Sequence, residues 1–221
     1  MKFNKKKVFV AALTVCLVAI LSMGTLAWFT DSDSVTNKFM VATSTEKPDD
    51  IFSVDVWERV DTNDDGVFDA TLKENGHTYE NIVPGDKLAK EPFVINTGSY
   101  SEWVRVKVTI NNANDWAAIL NKHNITDLST IFMGHDESIW ERYDNYTVED
   151  DKATYVFYLK TPLAPSERAT VFTHVAIPEV LDRDDAAMFA NGSFEVTVVA
   201  EAIQSEHTGN SAKEAFAANW Q

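Results

Sequence analysis

Along residues 100–110 the side chains alternate, with Val104, Val106, Val108 and Ile110 on one side and Trp103, Arg105, Lys107 and Thr109 on the other. A period of two in a run rich in β-branched residues fits a strand with one buried face and no helix. The same pattern recurs at residues 51–58, with Phe52, Val54 and Val56 on one face, and at 153–159, 169–177 and 193–203. In the last of these Phe194, Val196, Val198 and Ala200 share a face. Turn chemistry separates the runs: Pro84-Gly85-Asp86, Asn96-Thr97-Gly98 and the stretch 162–166. Helix signals are few and short. Asn114-Asp115 is placed to cap a helix over 116–122, 182–190 is a short candidate, and 211–220 is Ala-rich with Phe216 and Trp220 four apart. Many strands at short spacing with minor helices in the connections predict an all-β antiparallel β-sandwich over residues 51–221.

The first residues belong to a different kind of segment. Lys2, Lys5, Lys6 and Lys7 precede an uncharged apolar run, residues 8–23, and Thr25 and Ala27 then offer a small-x-small site. Cations, a greasy helix and a small-residue cleavage site, in that order, make a secretory signal over residues 1–27, cut between Ala27 and Trp28. The alternative is an uncleaved anchor, since residues 8–29 reach the roughly 20 apolar residues that span a bilayer. A lipid anchor on Cys16 would need a small residue before it, and that residue is Val15. On this reading residues 28–50 are a separate N-terminal segment. It is aromatic at Trp28 and Phe29, polar in the middle, apolar again at Phe39, Met40 and Val41, and then polar with Pro48 over 43–50.

Charge and cysteine content narrow the function further. Thirty-four acidic residues face 19 basic ones, for a net charge of −15, and four of those lysines leave with the signal. Such a surface repels nucleic acid and anionic lipid, so neither is an expected partner and the membrane matters only during export. Cys16 is the only cysteine. The exported chain therefore has no disulfide, thiolate metal site or cysteine nucleophile, and must be held by its core or by assembly.

Catalytic patterns are missing from the sequence. His77, His123, His135, His174 and His207 include no pair three or four apart, so no helix presents two of them to zinc, and there is no Gly-x-Ser-x-Gly elbow or phosphate loop. His174 falls within a strand pattern and is read as packing. One motif does carry chemistry. Asp61, Asn63, Asp65 and Asp69 stand at positions 1, 3, 5 and 9 of a loop with Gly66 at 6, and the Val67 carbonyl is placed at 7. A hard cation such as Ca2+ needs oxygens converging from a short loop, and the glycine permits the bend. The closing carboxylate is absent at position 12, which is Leu72, and Glu74 comes two residues later. The alternative is a hairpin loop rich in Asp, Asn and Gly for conformational reasons.

Three stretches carry a resemblance. The signal ends Gly24-Thr25-Leu26-Ala27-Trp28-Phe29-Thr30-Asp31, followed by Asn37-Lys38-Phe39. Residues 83–90 read Val-Pro-Gly-Asp-Lys-Leu-Ala-Lys, followed by Phe93, by Asn96-Thr97-Gly98-Ser99 and by a strand with Val104-Arg105-Val106. A closing strand over 199–204 precedes the Ala-rich helix ending at Trp220. Together these resemble the TasA/camelysin family of Gram-positive secreted proteins. The resemblance implies a jelly-roll sandwich, processing by a SipW-type signal peptidase, and location in the extracellular matrix or at the cell surface. It also implies self-assembly into head-to-tail biofilm matrix fibres, with other matrix proteins as further partners. In such fibres the mature N-terminal segment of one subunit adds as a strand to the next; the alternative, compatible with it in a monomer, is that the segment folds back as this chain's own first strand. Trp28, Phe29, Phe39, Met40 and Val41 would be its apolar anchors, and 43–50 its tether. Two alternatives stand beside this: the cell-surface metalloprotease activity described for camelysins, for which this chain has no zinc motif, and a calcium-stabilised surface binding module that does not polymerise.

Overall fold

A computed structural model describes residues 53–219, apart from 64, 73–75, 81, 126, 143–146 and 187–193. The signal and assembly positions Ala27, Trp28, Phe29, Phe39, Met40 and Val41 lie outside the described residues.

The described chain is all-β, antiparallel and sandwich-like, with short helices in its connections. One sheet is built on β1 (Val54–Val60) and β4 (Lys90–Asn96), flanked by β2 (Ala70–Leu72) and β10 (Arg168–Thr170) in the order β10-β4-β1-β2. A second sheet runs β12-β5-β9-β7: β12 (Val196–Gln204), β5 (Glu102–Asn111), β9 (Lys152–Leu159) and β7 (Trp140–Arg142), with β8 (Thr147–Glu149) also paired to β9. A small third sheet joins β3 (Lys87–Leu88), β11 (His174–Ala176) and β6 (Phe132–Met133).

Register follows from the alternation. Val106 of β5 lies opposite Ala200 of β12 and Phe157 of β9, and Val108 lies opposite Val198 and Tyr155, so all these side chains fall on one face. That face packs with Val54, Val56 and Val94 of the first sheet in one apolar cluster, closed by Trp116, Trp140 and Phe172. At about 25 cal/mol per Å² of apolar area buried, this layer is the main force holding a fold that has no cross-link. Trp140 also donates its indole N–H to the Thr170 carbonyl (2.6 Å), tying the second sheet to the first.

Two helices take faces that the sheets leave free. The helix α1 (Ala113–Lys122) buries Trp116, Ile119 and Leu120. Its start differs from the sequence expectation. Asn112, with φ 54°, precedes the helix and makes no side-chain cap. The cap comes instead from Asp151, whose carbonyl accepts from Ala113 N–H and whose carboxylate accepts from Asn114 N–H. A short helix α2 (Arg183–Ala186) follows, described only to residue 186. The last helix, α3 (Ala212–Asn219), sets Ala212, Ala215 and Phe216 on Trp103 and Ile203 of the second sheet's outer face. There the Arg105 guanidinium stacks over the Phe216 ring at 4.4 Å.

The run 169–177, which reads as one strand, is two. β10 pairs with β4 and β11 with β3, because the chain changes sheets at residues 171–173. Val171 N–H goes to Pro92 and Thr173 N–H to Met133, so the backbone stays hydrogen-bonded while it crosses.

Candidate functional site

The loop between β1 and β2 holds the acidic motif. Asp61, 3% exposed, accepts from Gly66 N–H (2.5 Å) and Asn63 N–H (3.2 Å). Asn63 Oδ1 accepts from Asp65 N–H, and Asp65 Oδ1 accepts from Val67 N–H. Gly66 sits at φ 84°, a conformation that disfavours other residues. Each side chain thus folds back on the backbone two residues ahead, and Asp61 reaches five ahead. Asp69 turns the other way, taking the Thr62 amide (2.9 Å) and hydroxyl (2.8 Å). A carboxylate accepting one or two bonds keeps lone pairs in reserve, so these contacts shape the loop without exhausting it. Asp61 and Asp65 line a cleft of about 540 Å³ whose other walls include Glu80 and Asp86, beside Lys87. Val67 is 62% exposed, and Leu72 lies in β2, so position 12 gives no ligand.

A second acidic cluster was not legible in the sequence. The Lys122 ammonium bridges Asp185 (2.7 Å) and Asp182 (2.9 Å), and His123 Nε2 lies 2.7 Å from the other Asp185 oxygen. That oxygen also accepts from Asp182 N–H. Burial pushes the Asp185 carboxyl up, but the bonds from Lys122, Asp182 N–H and His123 outweigh it and hold it at about 2. His123, Asp182 and Asp185 are the only His/Cys/Asp/Glu trio among the described residues close enough to share an ion. Lys122 already fills the place of a cation there. The cluster pins the C-terminal end of α1, where positive charge is favoured, to α2.

The sheet edges differ sharply. β2, β10 and β7 end their sheets with three residues each, the short edges by which proteins avoid unwanted pairing. β12 ends its sheet with nine residues, and among the described residues it pairs only with β5. It contains no Lys and no Pro. Its one charge, Glu201, is 3% exposed and held by Arg105 (2.5 Å) and Lys107 (2.9 Å). Burial raises the Glu201 pKa, but the bonds from Lys107 and Arg105 prevail and lower it. In the first sheet β2 covers β1 only at Glu58, Arg59 and Val60, which leaves residues 54–57 of that edge without a described partner strand.

Two further buried carboxylates lie on the inner layer. Glu58 of β1 meets Lys90 of β4 at 2.6 Å, with side chains 0% and 1% exposed. Glu102, at the start of β5, is also fully buried; its Oε1 accepts from Ser53 N–H (2.8 Å), and its Oε2 has no hydrogen-bond partner among the described residues. Parity could have found both, since Glu58 shares a face with Val54 and Val56, and Glu102 with Val104 and Val106. His174 is half-buried in β11, its Nδ1 against the Thr173 hydroxyl (3.0 Å).

Comparison with family models, with curated proteins and with solved structures gives no match.

Proposed function

We propose that the chain is an exported structural subunit that polymerises head to tail, each copy's residues 28–42 adding as a strand to the next copy's sandwich. The observation that carries this reading is the edge of β12. A nine-residue end strand without Lys or Pro, paired on one side only among the described residues and lying alongside β1, has backbone donors and acceptors that an incoming strand satisfies. The incomplete cover of β1 adds a second open stretch. Head-to-tail addition that does not close on itself gives a filament. The donor carries Trp28, Phe29, Phe39, Met40 and Val41 as anchors, and a SipW-type peptidase cutting after Ala27 would free it. On this reading the sandwich is of jelly-roll type, the fibre lies in the extracellular matrix, and other matrix proteins are further partners.

The test is negative-stain microscopy of two chains, one starting at Trp28 and one at Lys47. Filaments from the first and none from the second support donor-strand assembly. Folded monomers from both overturn it.

The acidic loop favours a second reading, a calcium-stabilised surface module. Side chains already folded around Gly66, with Asp61 and Asp65 facing a cleft that Glu80 and Asp86 also line, form an oxygen-rich setting for a hard cation. Asp61, Asn63, Asp65, Asp69 and the Val67 carbonyl would supply the ligands only after the loop rearranges, because the Asp61, Asp65 and Asp69 carboxylates do not lie close enough together to share an ion in this structure and Asp69 turns to Thr62. Calorimetric titration with Ca2+ checks this, and no heat at millimolar Ca2+ removes it. The metalloprotease alternative has the His123 trio as its best donor set among the described residues, and Lys122 occupies that set.

A further inference from the structure

Ser53 is the first described residue, three positions beyond the end of the segment 28–50 read as donor and tether, and it is held from both sides. Its N–H is bound by Glu102 Oε1 (2.8 Å), and its carbonyl accepts from Thr97 N–H (2.8 Å) and Gly98 N–H (3.1 Å). Its hydroxyl meets the Thr97 hydroxyl at 2.9 Å. Glu102 is itself fixed, exchanging two backbone hydrogen bonds with Leu163 (3.1 and 2.8 Å) and lying in register with Gln204, the last residue of β12. Ser53, where the described chain begins, therefore lies near the last residue of β12, the end strand of its sheet among the described residues. The anchor of Ser53 is a carboxyl whose Oε2 is buried with no donor among the described residues.

We propose that Glu102 is a proton-operated latch on Ser53: when neutral it keeps the junction closed, and when ionised it favours local opening that lets water reach the buried carboxylate. A charged oxygen without a donor is expensive in the interior, and the neutral acid removes that cost while Oε1 still accepts from Ser53. Burial raises the Glu102 pKa to about 7, against the lowering effect of the Ser53 N–H, so the change falls in the physiological range. The charged groups on the surrounding elements are engaged elsewhere. On β1 and β4, Glu58 and Lys90 pair with each other, and Asp55 lies on the other face of β1 by alternation. On β12, Glu201 turns to Arg105 and Lys107. In the 160–167 connection Glu167 accepts from Ala164 N–H, and Lys160 donates to the Glu137 carbonyl. On the adjoining turn, Asn96 donates its amide to the Tyr100 and Leu163 carbonyls.

The experiment is NMR on the isotope-labelled chain starting at Trp28, kept dilute, following the Glu102 side-chain carboxyl carbon and the protection of the Ser53, Thr97 and Gly98 amides. The carboxyl should titrate near neutrality. Protection, corrected for the intrinsic exchange rate, should fall about tenfold between pH 6 and pH 8. Glu102→Gln, which keeps the acceptor without the charge, should abolish that fall. A midpoint near 4.5, or protection that ignores pH, overturns the latch, and the wild-type titration decides even if the variant fails to fold.

A consequence for assembly rests on the fibre reading. A closed junction fixes where the donor segment leaves the body, so filament growth should be faster at pH 6 than at pH 8, and less so in Glu102→Gln. The variant is needed because any chain this acidic associates more readily as its charge falls. Equal pH dependence in both chains overturns the role in assembly. A carboxyl that titrates near 7 in a chain that never forms filaments supports the latch and overturns the fibre.

Discussion

The inner layer carries a buried carboxylate at each end, and the two are treated differently. Glu58 faces a lysine that is as deeply buried as itself. Glu102 has one amide and an oxygen with no donor among the described residues. The first arrangement locks two central strands, β1 and β4, in one register. The second stores a cost at the point where the chain enters the sandwich. A buried charge is tolerable when its partner is buried with it, and it becomes a pH-dependent liability when it is not.

The largest effect should come from breaking the first arrangement. Lys90→Met alone leaves Glu58 buried without its ammonium and should cost about 3–5 kcal/mol in denaturant unfolding at pH 7. Adding Glu58→Leu should recover most of that, because an apolar pair of similar volume needs no compensation. A single variant as stable as wild type would mean that the pair contributes nothing beyond packing.

Glu102→Gln should act in the opposite direction. The folded state binds a proton more tightly than the unfolded chain, whose carboxyl titrates at the ordinary 4.5. Stability from this group is complete below 4.5, falls as pH rises from there, and is gone once pH passes about 7. The substitution should therefore stabilise by roughly 3 kcal/mol at pH 8 and have little effect at pH 4.5. Unfolding curves at the two pH values check the sign.

Asp185 sharpens the contrast, being a buried carboxylate with several donors. Asp185→Asn should cost about 1–3 kcal/mol at pH 7. With its pKa lowered to about 2, its contribution is present above 3.8 and is lost as pH falls toward 2, the reverse of Glu102. The smallest effect should be Asp65→Ala in the exposed loop, within about 1 kcal/mol without added cation. If the calcium reading holds, millimolar Ca2+ should raise the wild-type Tm and leave that variant unmoved.

The strands of the second sheet were legible because their two faces meet different surroundings. Val104, Val106, Val108 and Ile110 face the core, while Arg105 and Lys107 face Glu201, so period two is written in the residues. The break at 171–173 was not legible, since Val171 and Phe172 continue the apolar pattern while the backbone changes partners. The cap of α1 was missed for a related reason: its acceptor, Asp151, lies 37 residues beyond Asn114 in the chain. The acidic loop was visible because its contacts are two to seven residues apart. The Lys122–Asp185 knot spans 63 and was not. That β12 ends its sheet among the described residues could not be read at all, because an edge is defined by which strands lie beside it.

The claim that β12 is the acceptor can be tested most directly by crosslinking between subunits. The chain has no cysteine beyond residue 16, so introduced ones report cleanly. One population would carry F39C, and others T197C or V199C on β12. Filaments grown from mixtures and then oxidised should give covalent dimers on a denaturing gel for at least one pairing, and none from either population alone with its own kind. Filaments that assemble from these mixtures yet give no dimer at any β12 position would contradict β12 as the acceptor strand.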